Sequence, residues 1–196
     1  MSVVLEDFSG PDFAPHVDAL ADLRIEVFRD WPYLYDGDAA YEAEYLRAYT
    51  ESPNAIIAAA WDGGRLVGAA TGAPMEDHAE DFGAPLDRAG FDLADVFYCG
   101  ESVLLPGYRG QGIGHAFFDR REAAARRLGR RYACFCAVIR PETHPARPSD
   151  YRSLDTFWRK RGYTPRDDIN ASFTWCDVGE TVETEKPMRV WMRRLS

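Results

Sequence analysis

Apolar positions along the chain switch repeatedly between strand-like and helix-like spacing, and the switches outline its elements. Residues 2–8 (SVVLEDF) read as a short strand, and the spacing of Ala19, Leu20, Leu23 and Val27 predicts a helix over 12–29. A turn-rich aromatic stretch, 30–38, leads to a second helix over 39–49 in which Tyr41, Tyr45 and Leu46 recur by helical turns. Residues 54–61 and 65–71 read as strands joined by a hairpin at Asp62-Gly63-Gly64. Residues 74–95 form an acidic connection with one short helix, holding Glu76, Asp77, Glu80, Asp81, Asp87, Asp92 and Asp95 against Arg88. A strand over 97–105 then ends at Pro106-Gly107, because proline cannot continue a ladder there. A long helix over 112–128 carries Ile113, Phe117, Ala124 and Leu128 on one face and stops at Gly129. A strand over 131–139, a proline-punctuated loop over 141–148 and a helix over 150–161 ending at Gly162 follow. Strands over 171–178 and 189–195, separated by the acidic stretch 179–185, finish the chain. With no repeat and no linker, one α/β domain over residues 1–196 is expected.

Composition narrows the function. The 196 residues are 46% hydrophobic and 28% charged, a balance that supports a packed core. The formal charge of −9 disfavours nucleic acid, whose binding depends on neutralising phosphates. Cys99, Cys134, Cys136 and Cys176 form neither a dense disulfide framework nor paired zinc-binding arms, so a reducing cytoplasm and no metal are expected. Cys134 and Cys136 share one face of a strand and read as core residues. The start lacks the basic and apolar regions of a leader, and no stretch reaches the ~20 apolar residues of a membrane helix, so no membrane partner is expected.

The informative feature is the string Pro106-Gly-Tyr-Arg-Gly-Gln-Gly-Ile-Gly114 between a strand and a long helix. Glycines at 110, 112 and 114 let the backbone approach a pyrophosphate closely, at a helix start whose free amides favour an anion. The dinucleotide pattern GxGxxG fails at His115, and the triphosphate loop fails at Ile113, where it needs lysine. Arg109, Gly112 and Gly114 do fit (Q/R)-x-x-G-x-(G/A), and SVLLPGYRGQGIG with the later Phe-Trp-Arg-Lys-Arg-Gly-Tyr163 run resembles the GNAT superfamily of N-acetyltransferases over about residues 97–165. The resemblance implies the acyl-CoA N-acyltransferase fold: a mixed, mostly antiparallel sheet flanked by helices, with a splayed central strand pair. It also implies acetyl-CoA as acyl donor, with pantetheine along Val103, Leu104 and Leu105 and pyrophosphate at Arg109, Gly110, Gln111, Gly112, Ile113 and Gly114. Trp158 stands where many members carry a tyrosine acid; it is assigned to the cofactor side, because an indole cannot deliver its proton. Residues 109–131 hold seven arginines against Asp119 and Glu122, some within reach of a 3′-phosphate.

An alkyl ammonium has a reference pKa of ~10.4, so acetyl transfer to it needs a base or a water relay. Glu101, three residues before Leu104, is the leading base, and the backbone N–H near Leu104 is the implied oxyanion donor. Tyr151 is the chosen proton donor, with Tyr163 and His144 as further candidates. Trp31, Tyr33 and Tyr35 are expected to wall the acceptor, whereas Tyr41 and Tyr45 read as helix packing. The expected activity is acetyl transfer to a primary amine of a small molecule or peptide by direct attack. An acyl-CoA-binding module without turnover is the alternative, and a homodimer stays an open option.

Overall fold

The hairpin forms the spine of the sheet. In the computed structural model, which describes residues 3–78 and 82–196, β2 (Ile56–Asp62) and β3 (Arg65–Pro74) pair antiparallel across Gly63 and Gly64. Both glycines sit at positive φ, as so tight a turn requires. Of the sequence expectations, Ser2, Glu80 and Asp81 fall outside the described residues.

β1 (Val4–Ser9) pairs with the outer side of β2. The helix expected over 12–29 is two pieces, α1 (Gly10–Phe13) and α2 (Val17–Phe28), separated by a 3-10 turn at Ala14–His16. Pro15 lies in that turn and has no amide to continue a helix ladder. Ala19 faces solvent, and Ala21 takes the buried place. α3 (Ala39–Glu51) is capped by Asp38, whose Oδ1 accepts the Tyr41 amide at 2.9 Å.

After α4 (Ala84–Arg88), the continuous strand expected over 97–105 is instead two short strands, β4 (Val96–Tyr98) and β5 (Ser102–Leu104). The break follows from Gly100, where a Cβ would lie 2.1 Å from Tyr49 Oη and 2.6 Å from Thr71 Oγ1. Arg121 holds the break from α5 (Ile113–Arg127): its buried guanidinium donates to the carbonyls of Thr71 and Glu101 at 3.2 and 3.0 Å and to Ser102 Oγ at 2.8 Å. β4 runs parallel to β6 (Tyr132–Val138), and their pairing ends where the Cys99 amide meets the Cys134 carbonyl at 2.8 Å. β5 pairs only with β3 among the described residues, so the sheet parts between β5 and β6.

α6 (Asp155–Lys160) is shorter than the helix expected over 150–161, because the Asp155 amide donates to Ser153 Oγ and fixes the start there. β7 (Thr164–Trp175) and β8 (Thr184–Arg194) are longer than the strands read from sequence; charged residues along the exposed β7 edge mask the strand period. The sheet order is β1-β2-β3-β4-β6-β8-β7, with β5 beside β3, and every pair except β4–β6 is antiparallel. α5 packs on the face that Gly68 and Gly72 present, where Phe117 and Arg121 come within 3.3 Å of the Cβ positions those glycines leave empty. The buried Glu122 ties α5 to its surroundings, accepting from Arg161 at 3.1 Å, Tyr163 at 3.2 Å and Arg193 at 2.9 Å. Among the described residues, no helix is long and apolar enough to cross a membrane.

Candidate active site

Two features built on the broken strand make the site. The first is the gap between β5 and β6. The Thr71 amide donates to the Glu101 carbonyl at 3.2 Å and the Leu105 amide to the Val67 carbonyl at 3.0 Å, so Glu101, Val103 and Leu105 bond across to β3. By strand alternation, the N–H and C=O of Leu104 turn away from β3 toward the gap. Leu104 O accepts from Arg109 Nε at 3.1 Å, whereas the side chains of Val103, Leu105 and Ile113 are buried in the core.

Past Leu104 the chain turns at Pro106–Tyr108 and enters α5 through Gly110 and Gly112, at φ 77° and 85°. No atom lies within 4 Å of the Cβ position at either glycine, and no side chain caps the helix start. The first amides of α5 therefore lack intrahelical acceptors and open onto free space. That fits a diphosphate. At Gly114 a Cβ would merely touch Phe157 Cζ at 3.8 Å, so closeness is required at 110 and 112 more than at 114. Gln111 donates back to the Gly107 carbonyl at 3.2 Å and holds the turn.

Apart from the exposed Arg127, the other arginines of this region are engaged elsewhere. Arg120 pairs with Asp7 at 2.7 Å, Arg130 with Glu76 at 2.7 Å and Arg131 with Asp95 at 2.8 Å. Arg126 reaches the Ser196 carbonyl at 3.0 Å, and Arg121 is buried under the strand break. Arg109 is thus the one that sits in the glycine turn itself.

The second feature is a cleft of about 900 Å³ that includes Glu101 and Gly100 in its lining. Glu101 is 5% exposed; its Oε2 lies 2.8 Å from Arg24 Nη1 and accepts from Tyr45 Oη at 3.1 Å. Its Oε1 is buried with no hydrogen-bond partner. Arg24 also donates to the fully buried Glu42. Burial opposes the Arg24 charge, but Glu101, Tyr45 and Glu42 outweigh it, and the guanidinium is held more firmly protonated than a free one. Burial, then the Glu101 charge, pushes the Tyr45 phenol up.

Of the aromatic residues expected to wall an acceptor, Tyr33 and Tyr35 line the cleft, joined by Tyr41 and Tyr45. Trp31 instead packs against His144 and Tyr151, with ring centres 5.1 and 5.9 Å away. Burial, then the Asp155 charge, raises the Tyr151 phenol. Trp158, half-buried, packs edge-on and tilted against the core rings of Phe135 at 5.0 Å and Trp191 at 5.1 Å, and Tyr163 is fully buried on Glu122. Cys134 is buried; Cys136 lines the cleft, where burial pushes its thiol up to about 12, so it stays protonated near neutral pH. Among the described residues, no cluster of three or more His, Cys, Asp or Glu could hold a metal ion.

Arg24 and Glu42 escaped the sequence reading, yet a signal was present. Each interrupts the apolar stripe of its helix, Arg24 four residues after Leu20 and Glu42 four before Leu46. A charged residue at such a position has to be paired when buried.

A family model described as the GNAT family of acetyltransferases matches residues 18–148. The fold resembles yncA, a putative acetyltransferase from Salmonella typhimurium solved with its cofactor acetyl-CoA, at 12% identity and a TM-score of 0.63, over 100% of this chain and 95% of that one. It also resembles a ribosomal-protein-alanine N-acetyltransferase from Brucella melitensis (12% identity, TM-score 0.61, 98% and 99% covered). An acyl-CoA N-acyltransferase from Pseudomonas aeruginosa is similar at 18% identity and a TM-score of 0.59, again over 98% and 99%. No curated protein matches the chain in sequence.

Proposed function

Because the chain belongs to the GNAT family of acetyltransferases, we propose that it transfers an acetyl group from acetyl-CoA to a primary amine of a small molecule or peptide by direct attack. The observation that carries this reading is a single run of chain: the free Glu101 oxygen, the outward-turned Leu104 amide and the uncapped glycine turn lie in order on one strand, turn and helix start.

When bound, acetyl-CoA supplies an activated acetyl thioester. The amides of the 109–114 turn and the Arg109 side chain hold its diphosphate, and Val103, Leu104 and Leu105 present backbone to the pantetheine arm. Arg109 has to release the Leu104 carbonyl for that arm to reach it. The Leu104 N–H stabilises negative charge developing on the carbonyl oxygen of the acetyl group. Glu101 accepts a proton from the incoming ammonium through Oε1, directly or through one water, and frees the lone pair for attack. Tyr151, kept protonated by burial, gives a proton to the leaving sulfur and is recharged by the second proton that the nitrogen sheds as the amide forms. Tyr33 and Tyr35 wall the acceptor side, while Trp31 packs on Tyr151 away from the cleft lining.

Release of free CoA from acetyl-CoA, measured with and without primary amines, tests the reading. Amine-dependent release that disappears in Gly112→Asp is expected. Tight acetyl-CoA binding with no release for any amine would identify a binding module instead.

A further inference from the structure

We propose that the acceptor is a primary amine carrying one positive charge on an aromatic or branched apolar body, its ammonium received by Oε1 of Glu101. This deepens the acetyl-transfer reading and rests on it.

The pairing at the buried end of the cleft leaves room for a cation. Glu42 and Glu101 are both buried, and their ion pairs converge on one guanidinium, that of Arg24. The two carboxylates share that one partner, because the other buried arginine there, Arg121, is spent on the main-chain carbonyls of Thr71 and Glu101 and on the Ser102 hydroxyl, so partners fall short on the carboxylate side. The shortage falls on one atom, because Glu42 receives Arg24 Nε and Glu101 Oε2 receives both Arg24 and Tyr45, while Oε1 has no partner. Leaving such an oxygen buried and unpaired costs roughly 1–3 kcal/mol, more for a charged group. A primary ammonium brings a positive charge and three donors to that oxygen.

The walls then select the rest of the molecule. Phe28, Tyr33, Tyr45, Tyr98, Phe82 and Trp175 line the cleft. Burial is the leading cause that raises the phenols of Tyr33, Tyr45 and Tyr98, so these walls stay uncharged near neutral pH. The remaining acids of the lining sit differently. Glu44 and Glu51 flank Arg47 on the exposed rim, and Asp77, also exposed, receives the Ser52 hydroxyl. Among the described residues, no lining acid besides Glu101 is buried, so the walls described offer no second buried carboxylate to a second ammonium, which favours a monoamine over a diamine. A volume of about 900 Å³ is on the scale of a small-molecule pocket and is enough to take a whole small acceptor.

The test compares 2-phenylethylamine, 1,4-diaminobutane and Nα-acetyl-lysine amide at saturating acetyl-CoA, following CoA release, with amine binding measured separately by calorimetry. 2-Phenylethylamine is expected to exceed the other two in kcat/KM by about tenfold or more, since two ring contacts of ~0.5–1.5 kcal/mol each supply that factor. Glu42→Gln removes the carboxylate that competes with Glu101 for Arg24, and is expected to raise KM for 2-phenylethylamine about tenfold while acetyl-CoA affinity holds. CoA release that is as fast or faster with the diamine or the lysine amide overturns the acceptor class and leaves acetyl transfer standing. Calorimetric binding of 2-phenylethylamine with the expected preference, but without CoA release, overturns transfer and leaves the amine site standing. The wild-type comparison decides the class even if the Glu42 variant does not fold.

Discussion

At Gly112 the backbone sits at φ 85° with open space where a side chain would begin, so a substitution there strains the chain without crowding it. Gly112→Asp adds an anion at the mouth of the turn and is expected to abolish the rise in melting temperature that acetyl-CoA gives. Gly114→Ala, with its nearest neighbour 3.8 Å away, is expected to keep both the fold and that rise. Glu101→Gln keeps shape but loses the base; kcat is expected to fall by about a hundredfold with acetyl-CoA affinity unchanged, read by steady-state kinetics and calorimetry. Removing Arg24 is different in kind, because two buried carboxylates would then face each other unpaired. Arg24→Met is expected to cost about 3–5 kcal/mol in urea unfolding. The contrast marks what one position in a sequence can disclose. Glu101 was legible because it stands on the strand that carries the glycine turn, whereas Arg24 and Glu42 meet it only through pairings 77 and 18 residues apart in the chain, which no local spacing records.

Among elements, the segment from Trp31 to Tyr35 gains its shape from the far end of the chain. Arg140 donates to the carbonyls of Pro32 and Tyr33 at 3.0 and 2.6 Å and grips Asp177 with both terminal nitrogens, at 2.7 and 2.8 Å. Trp175 Nε1 reaches the Tyr33 carbonyl at 3.1 Å, and the Val178 amide reaches that of Leu34 at 2.7 Å. The acceptor wall is thus sewn to the end of β7. Burial works against the Asp177 charge, but Arg140 and then Lys186 outweigh it and hold its carboxyl below the usual aspartate range. A depressed folded pKa contributes stability above the ordinary aspartate value near ~4, and that contribution is lost as pH falls through the folded value. Acid unfolding of the wild type is therefore expected to steepen below about pH 4, and Asp177→Asn to lack that component in melts taken across pH. The hairpin, α5 and β6 were readable because apolar spacing and turn glycines agree there. α6 is shorter and β7 longer than the sequence predicts because a Ser153 cap and charged surface residues override local periodicity.

Over the whole molecule, most arginines in α5 and just after it serve the fold: Arg120, Arg126, Arg130 and Arg131 bind β1, the C-terminal residue and two flanking turns, so the basic run seen in the sequence is a tether more than a phosphate patch. Arg121 has the longest reach in consequence. α5 starts at the glycine turn and, nine residues after Gly112, or ~14 Å along a helix, places Arg121 on the Glu101 carbonyl. A rod anchored at both ends transmits what happens at one of them. Occupying the turn is therefore expected to sharpen amine affinity, and thermodynamic reciprocity obliges the amine to improve donor affinity by the same factor. Paired titrations in the two orders measure that factor, and Arg121→Met is expected to bring it toward unity, turning two communicating sites into two independent ones.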